Sequence, residues 1–549
     1  MTSHTARVAL LLGLLVPVAL LVARGSGQPS RRASDPELPR LCVDTTYVPP
    51  TGRTIAVAAG DDFQAALRTA QPGDVITLEA GARFSGNFTL PNKTGTGWIV
   101  IRTSAPDSSL PAPGVRVTPA SASFLPKLVS PNDRPVLTAA AGAHHYRLIG
   151  VEFTVAADVA ANYQLILLGN RPTSPDQLPH DLILDRVYVH GTSRVNLRRG
   201  IALNSATTAI IDSYIAGAHE VGPDSQAIAG WDGPGPFRIV NNYLEGSGEN
   251  LLFGGADPSI RDLVPSDIEV RRNHFFKPLT WRVGDPSFAG RPWTVKNLLE
   301  LKNARRVLID GNLFEHNWAD GQAGTAIVLT PRNQDGTAPW SVVEDVTFTN
   351  NIVRHTGSAV GLLGMDSKPS QPTKRILIKN NLFDDVSGAR WGGVGRLFQA
   401  YHGVTDLVVE HNTAFQDGPI ITVEGKPHVG FVYRDNVAPH NEYGIQGTGT
   451  PPGRPTLDVY FVGPIVEKNV IIGNPYASQY PANNFYPPSL AAVGFVDPSR
   501  GDYRLSSSSP YKHAASDGKD IGVDFEALST AMAAPESRDL LAGCAKKKK

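Results

Sequence analysis

One short segment of this chain combines a carboxylate and an amine in a pattern that suits proton transfer. The segment NLLELKN at 297–303 alternates apolar and polar residues. With Leu299 and Leu301 facing the interior of a strand, Glu300 and Lys302 must face outward together. A lysine at such a site can take a proton from a carbon that lies beside a carboxylate. This strand is therefore the first candidate for a catalytic site.

Neighbouring segments of similar pattern would add further polar groups to the same face. Stacked beside the first strand, they would line one groove with Asp224, Asp232, Glu249, Asp257, Glu300, Lys302, Arg332, Asp366, Gln399, Tyr401 and His402. From this set, Asp232, Tyr401 and His402 are predicted to contact substrate.

Two chemistries fit this groove. Elimination from a uronic acid needs a base, Lys302 or Arg332, and a neutralised carboxylate, commonly achieved by Ca²⁺ bound to acidic side chains. The predicted calcium ligands are Asp257, Glu249 and Glu300. Hydrolysis of a glycosidic bond would instead use two carboxylates, Glu249 with Glu300 or Asp232. The plainer alternative is that Glu300 and Lys302 form only a surface ion pair.

Tryptophans concentrate in two polar insertions near this strand. Residues 277–297 carry Trp281 and Trp293, and the loops that follow carry Trp318 and Trp340. Exposed aromatic faces stack well on sugar rings, so these residues are predicted to bind substrate. The alternative is that they pin the loops onto the wall of the fold.

A recurring sequence motif, called the tag, marks the strands that would position these groups. Each copy has alternating apolar residues, then a polar pair, then an apolar end. Its fixed points are Ser213, Asn242, Asn273, Asn312, Asn351, Asn381, Asn412, Asn436 and Asn469. Most steps are near 30 residues, but the two between Asn273 and Asn351 are 39 residues each. Repeats of this length with short β patterns predict a coil of parallel strands. Insertions in such a solenoid gather on one face, which is often the binding face.

The tagged region resembles the right-handed parallel β-helix superfamily that includes pectate lyases and polygalacturonases. The resemblance implies an all-β, right-handed parallel β-helix of about 10 to 12 coils with a short N-terminal capping helix. In that fold, Asn is expected at bends that need positive φ, and stacked Asn side chains can form a hydrogen-bonded ladder. The full set of Asn-Thr-Asp, Asp-Asp and Gly-His-Gly motifs that polygalacturonases carry is not found in this sequence, and neither is a pectate lyase Arg motif.

Composition and termini predict export. The 51 basic and 51 acidic residues balance, so nucleic acid is not an expected partner, and no membrane span is expected once the N-terminal signal is cleaved. The apolar run that starts at Val8 is too short and too interrupted to favour a spanning helix, so residues 1–25 are predicted to be a signal peptide. The only cysteines, Cys42 and Cys544, can pair if the C-terminal segment returns along the outside of the solenoid.

The predicted organisation has five parts. They are the signal at 1–25, a polar linker at 26–45, a cap and first coil at 46–90, the β-helix at 91–475, and a closing segment with a basic tail at 476–549. The function hypothesis is a secreted or cell-surface, monomeric lyase that acts on a uronic acid polysaccharide, with calcium and no organic cofactor. The alternatives are a glycoside hydrolase and a non-catalytic glycan-binding or adhesion protein.

Overall fold

Three long sheets of parallel strands form the body of the molecule. The computed structural model describes residues 33–533 and the short strand Ala545–Lys546. The sheets contain 16, 13 and 12 strands and are called sheets 1, 2 and 3. Each coil passes from sheet 1 to sheet 2 to sheet 3 and then returns to sheet 1. This is the right-handed parallel β-helix that the repeat predicts.

The strand bounds follow the coils. Sheet 1 contains Thr54–Val57, Val75–Leu78, Ile99–Thr103, His144–Ile149, His180–Asp185, Ala206–Ile211, Gly235–Val240, Ser266–Arg271, Ala304–Asp310, Val343–Thr349, Lys374–Lys379, Thr405–Glu410, His428–Val429, Val432–Arg434, Phe461–Val462 and Ile465–Glu467. Sheet 2 contains Arg83–Ser85, Lys127–Ser130, Glu152–Val155, Tyr188–His190, Tyr214–Ala218, Tyr243–Gly246, His274–Phe276, Leu313–Asn317, Ile352–Thr356, Leu382–Val386, Thr413–Gln416, Val437–Pro439 and Val470–Ile472. Sheet 3 contains Phe88–Leu90, Leu137–Ala139, Ile166–Leu168, Arg199–Leu203, Gln226–Gly230, Glu249–Phe253, Asn297–Leu301, Thr325–Leu329, Ser358–Leu363, Phe398–Tyr401, Ile421–Glu424 and Ile445–Gly447.

The remaining elements are short. Three small pairs join Leu41–Cys42 to Ala545–Lys546, Ala161–Asn162 to Asn196–Leu197, and Phe495–Asp497 to Asp502–Leu505. The α-helices are α1 (Phe63–Thr69), α2 (Gly388–Trp391), α3 (Arg454–Tyr460) and α4 (Phe525–Ala533). Single 3₁₀ turns occupy Asp107–Ser109, Pro119–Phe124, Pro175–Gln177, Leu279–Trp281, Ala477–Gln479, Leu490–Val493 and Pro498–Arg500.

The core is a set of apolar columns, because parallel strands in register place the same strand position of each coil one above the other. On sheet 3, Leu251, Leu299, Ile327 and Val360 lie at one register, and all four are buried. Matching columns from sheets 1 and 2 meet them inside the coil as one hydrophobic cluster. The apolar alternation in each repeat therefore stabilises the stack as well as the single coil.

A ladder of buried asparagine side chains runs along the turn from sheet 1 to sheet 2. We call each asparagine of this ladder a rung. The Oδ1 atom of a rung accepts a hydrogen bond from the backbone N–H of the rung in the preceding coil. Thus Asn273 donates to Asn312, and Asn312 donates to Asn351, both at 2.9 Å. The ladder begins at Ser213 and ends at Asn484, one rung beyond the tagged residues. The predicted ladder is present, but the prediction of positive φ at its asparagines is wrong. The left-handed residue is the one before each rung, for example Asn241, Arg272 and Asn350 with φ between 53° and 57°.

The two ends of the described chain approach each other on the outside of the solenoid. After the last coil, Val523 donates to Thr413 and Asp524 donates to Asn380, so the segment runs back across earlier coils. The strand Ala545–Lys546 then pairs with Leu41–Cys42. Cys42 is disulfide-bonded, while Cys544, its predicted partner, lies outside the described residues.

Near the N-terminus, α1 buries Phe63, Ala66 and Leu67, and the Asp62 side chain accepts a hydrogen bond from the N–H of Ala65 at 2.9 Å. The predicted signal peptide at 1–25 lies outside the described residues. Within residues 33–533 and 545–546, no helix has the length and apolar character needed to cross a bilayer.

Candidate functional site

One register of sheet 3 places three polar side chains on consecutive strands. Gln226, Glu249 and Asn297 are direct neighbours where their strands begin. The Nε2 of Gln226 donates to Glu249 Oε2 at 2.7 Å, and the Nδ2 of Asn297 donates to Glu300 Oε2 at 3.2 Å. All four side chains are almost completely buried. They form a hydrogen-bonded layer just under the surface of the sheet.

Two lysines border this layer. The Nζ of Lys302 lies 3.4 Å from Glu300 Oε2, and Lys296 forms an ion pair with Asp224. The side chains of Lys302, Lys296 and Asp224 are 15%, 17% and 30% exposed, so they form the accessible rim of the site. We call this set the carboxylate–lysine cluster; it consists of Asp224, Gln226, Glu249, Lys296, Asn297, Glu300 and Lys302.

Arg332 extends the rim into the next coil. Its backbone N–H donates to the carbonyl of Lys302 at 2.9 Å, so the two residues are neighbours along the stack. The guanidinium is 39% exposed and is paired with Asp366 at 2.6 Å. The backbones of Lys302 and Arg332 are therefore adjacent where their strands of sheet 3 end, and each side chain is paired with a carboxylate, Glu300 or Asp366.

The outward column of sheet 3 continues from the cluster as a shallow floor. Glu300 is followed on the next three strands by Val328, Gly361 and Gln399. Gly361 has no side chain, which lowers the floor between its neighbours. At the far end Arg396 donates to Gln399 Oε1 at 2.6 Å.

The negative charge of Glu249 is disfavoured by its surroundings. Its complete burial, followed by the nearby charges of Glu300 and Asp224, raises the pKa of its carboxyl from 4.5 to about 7. Lys302 and the hydrogen bond from Gln226 oppose that rise. A carboxyl that titrates near neutrality can both give and accept a proton under physiological conditions.

Lys296 shows the opposite balance. Burial acts to lower the pKa of its ammonium group, but the hydrogen bond to Asp224 and the charges of Glu249, Asp224 and Glu300 outweigh burial and raise it. Lys296 therefore stays positively charged and is suited to hold an anion rather than to take a proton.

A fully buried lysine supports the cluster from behind. Lys277 is the first residue of the longer insertion, and its Nζ donates to the carbonyls of Gly246, Ser247 and Gly248 at 2.6 to 3.0 Å and to Asn250 Oδ1 at 3.1 Å. Burial lowers its pKa to about 7, against the charges of Glu249 and Glu245. Lys277 thus fixes the turn that leads into the strand of Glu249.

Comparison with known proteins finds distant similarity to solved structures. No protein-family model and no curated protein matches the chain. It is similar to an alginate lyase from Paenibacillus sp. at 13% identity, over 73% of this chain and 97% of that one, with a TM-score of 0.29. It is also similar to a pectate lyase (14%, 86% and 96%, TM-score 0.33) and to the A-module of a mannuronan C-5 epimerase from Azotobacter vinelandii (12%, 76% and 100%, TM-score 0.35).

The tryptophans predicted to stack on sugar rings do not form an exposed aromatic surface. Trp281, Trp293 and Trp318 are buried together in one apolar cluster, and His219 stacks on Trp293 with ring centres 3.7 Å apart. Trp340 is half-buried, and its indole N–H donates to the carbonyl of Leu263. This placement supports the alternative that the tryptophans pin the insertions onto the wall, because a sugar could not reach the buried faces.

Two of the acidic residues predicted for the site, Asp257 and Asp232, accept hydrogen bonds from loop residues. Asp257 Oδ2 accepts hydrogen bonds from the Thr337 N–H and hydroxyl, both at 2.8 Å, and Asp232 Oδ1 accepts from the Ser259 N–H at 2.6 Å. Asp257 therefore holds the loop at 335–337 through Oδ2, while its Oδ1 is buried without a hydrogen-bond partner among the described residues, and its role as a calcium ligand stays a prediction. Tyr401 is half-buried and His402 is exposed at the end of the strand that carries Gln399.

Sequence reasoning missed Gln226, Lys296, Asn297 and Lys277. Nothing in the local sequence distinguishes Gln226 and Asn297 from other polar residues. Only the strand register shows that they lie on either side of Glu249. Alternation could not have found them, because Gln226 and Asn297 lie two residues before the core positions Ile228 and Leu299, where strict alternation would turn them toward the core.

The cluster should make stability depend on pH. Because the pKa of Glu249 in the folded protein lies above its ordinary value, the native state binds more protons than the unfolded state between about pH 4.5 and 7. The stabilisation that this group contributes is complete below that window and is lost as pH rises through it. Glu249→Gln should therefore show a flatter profile of unfolding free energy, with a difference on the order of 1 to 3 kcal/mol across the window. Parallel profiles for the two proteins in urea titrations would contradict the assignment.

Proposed function

We propose that this protein is an exported, carbohydrate-active β-helix enzyme, and that it is a lyase acting on a polysaccharide that contains uronic acid. The observation that supports this most directly is the rim of Lys302 and Arg332, adjacent and accessible, above the buried carboxylates of Glu249 and Glu300. Positive side chains at the edge of a groove suit a sugar that carries a carboxylate. Export is proposed from the predicted signal at 1–25, and the protein is proposed to act as a monomer.

The proposed reaction is an elimination. The amine of Lys302, after it has released its own proton to solvent, takes the proton from the sugar carbon beside the carboxylate, the electron pair forms a double bond to the neighbouring carbon, and the glycosidic oxygen leaves and takes a proton from solvent. Arg332 and Lys296 hold the carboxylate. Their positive charges favour the extra negative charge that this group gains as the proton leaves. The floor of Val328, Gly361 and Gln399 would support the sugars on the other side of the bond.

The buried layer also fits a calcium ion. Within the described chain, Gln226 Oε1, Glu249 Oε1 and Asn297 Oδ1 are buried without a hydrogen-bond partner. The two amide nitrogens already donate to carboxylates, which fixes the oxygens as the unpaired atoms. Oxygen atoms from carboxylates and amides are the ligands that Ca²⁺ prefers. Gln226, Glu249 and Asn297, with Asp224 at the rim, would hold the ion, and it would supply positive charge to neutralise a substrate carboxylate.

Calcium binding can be measured without activity. We expect Ca²⁺ to raise the melting temperature of the chelator-treated protein, because an ion bound only to the native state stabilises it. Glu249→Gln should weaken calcium binding at least about tenfold in calorimetry. Glu424→Gln is the matched control, since Glu424 is exposed at the end of another strand of the same sheet. Equal affinity for all three proteins would show that the layer does not hold the ion.

Hydrolysis is the second candidate, and the pKa of Glu249 favours it. A carboxyl with a pKa of about 7 is protonated in mildly acidic conditions and can act as a general acid, while Glu300, ion-paired with Lys302, would be the second carboxylate. The two reactions leave different products, because only the elimination forms an unsaturated sugar.

One experiment separates the candidates. The purified protein is incubated, with and without Ca²⁺, with a panel of uronic and neutral polysaccharides, and both unsaturated product and new reducing ends are followed. Unsaturated product from a uronic substrate supports the lyase. Reducing ends without unsaturation support the hydrolase, and retention on a glycan array without any product supports a binding or adhesion protein.

A further inference from the structure

A cluster of three histidines and an aspartate lies on sheet 1, away from the carboxylate–lysine cluster. His144 and His180 are register neighbours at the start of adjacent strands, and their rings stack with centres 4.8 Å apart. The next residues, His145 and Asp181, both have left-handed backbones, with φ of 57° and 52°. Because the two segments share this conformation, the side chains of His144 and His145 lie next to those of His180 and Asp181 at one edge of the coil.

The ligand-type atoms of this cluster are close to one another. His145, His180 and Asp181 each offer one ring nitrogen or carboxylate oxygen, and these atoms lie within 4.8 Å of one another. The Nδ1 atoms of His144 and His145 are 2.7 Å apart, and His180 Nδ1 is 2.7 Å from Asp181 Oδ2. Ligands about 2.0 to 2.2 Å from a tetrahedral zinc are separated by about 3.3 Å. Small rotations of the rings would therefore bring three or four of these atoms onto one ion.

We propose that His144, His145, His180 and Asp181 form a binding site for a divalent transition metal of the zinc class. Imidazole nitrogens with one carboxylate oxygen are typical zinc ligands, whereas Ca²⁺ and Mg²⁺ prefer oxygen alone. The ion would join the strands His144–Ile149 and His180–Asp185 and would stabilise the early, irregular coils.

The surroundings suit a metal site. His145 is buried, and Trp98 packs edge-on against its ring at 5.3 Å, which limits the movement of that ligand. His180 and Asp181 are 36% and 24% exposed, so an ion can enter from solvent.

A second group of similar composition is a less suitable site. Glu315, His316 and His355 also lie within reach of one another on sheet 2. However, both oxygens of Glu315 are already engaged, one by Arg354 at 2.7 Å and the other by His274 at 3.0 Å. A metal ion there would meet the guanidinium of Arg354. This group therefore provides the matched control.

The test uses the full chain without a histidine tag, stripped with chelator and titrated with Zn²⁺ in a calorimeter. We expect about one equivalent to bind and the melting temperature to rise, with affinity falling at least about tenfold in His180→Asn and in His145→Ala. His316→Asn, the control, should bind like the unmodified protein. Co²⁺ should give the visible absorption of a tetrahedral site in the unmodified protein and lose it in His180→Asn.

Circular dichroism first establishes that each variant is folded, and the conservative His180→Asn variant guards against a general loss of structure. The proposal is overturned if folded His180→Asn binds Zn²⁺ as tightly as the unmodified protein, or if His316→Asn alone loses binding. It is also overturned if the unmodified protein binds no Zn²⁺ at micromolar concentrations.

Discussion

Lys302→Ala should lose at least about 100-fold of the rate at which unsaturated product forms on a uronic polysaccharide, since general-base catalysis contributes about 10²- to 10⁴-fold. The substitution should also lower the free energy of unfolding by about 1 to 3 kcal/mol, because it leaves the buried carboxylate of Glu300 without its cation. The measurement is the initial rate of unsaturated product on the substrate that the panel identifies, with the melting temperature of each variant recorded alongside.

Lys368→Ala is the matched control for this substitution. Lys368 is exposed on a loop beside sheet 3, and its Nζ donates to the carbonyl of Gln334, away from the cluster. Its removal should leave the rate unchanged. A Lys302→Ala protein that keeps full activity would remove the lysine from the mechanism, and loss of activity only in Glu249→Gln would move the proton transfer to that carboxyl.

Asn312→Ala should destabilise the protein by at least about 3 kcal/mol, because it leaves several buried polar groups without partners. Asn312 Oδ1 accepts from the backbone and side-chain nitrogens of Asn273 at 2.9 and 3.1 Å. Its Nδ2 donates to the carbonyl of Val270 and to Asn351 Oδ1 at 3.0 and 2.9 Å. Urea unfolding followed by circular dichroism measures the loss.

An exposed asparagine provides the comparison. Asn483 donates to Glu467 at the surface, at 3.1 Å, and Asn483→Ala should change the free energy of unfolding by about 0.5 kcal/mol or less. Equal losses for the two variants would mean that the ladder adds little beyond an ordinary surface hydrogen bond. The ladder would then be a consequence of the stacking rather than a cause of its stability.

Much of this fold was predictable because a solenoid repeats its physical requirements. The alternation in each tag shows the core-facing positions, and the spacing of the asparagines shows the length of each coil. The placement of the left-handed residue was not predictable in the same way. The position before each rung is filled by residues as different as Arg272, Gly311 and Lys468, so no single residue type identifies it.

The candidate site was predictable where it depends on alternation within one strand, as for Glu300 and Lys302. It was not predictable where it depends on pairing between strands, because Gln226 and Asn297 gain their meaning only from the register with Glu249. The burial of Trp281 and Trp293 could not be predicted from the sequence either, because the path of an insertion depends on the surface over which it folds. Loop composition alone does not distinguish an aromatic residue that faces a sugar from one that anchors the loop.

The hydrogen bonds between successive rungs of the asparagine ladder all run in the same direction along the axis of the solenoid. The backbone N–H of every rung donates to the Oδ1 atom in the following coil, so these hydrogen bonds point one way along the stack and polarise one another. At the starting end Ser213 closes the series, since its hydroxyl accepts from Val187 and donates to Ile211. At the other end only one more asparagine is needed to continue. A duplicated unit placed between Asn436 and Asn469 would therefore lengthen the molecule without altering the coils around Glu249, so the length of this protein and its chemistry can evolve separately.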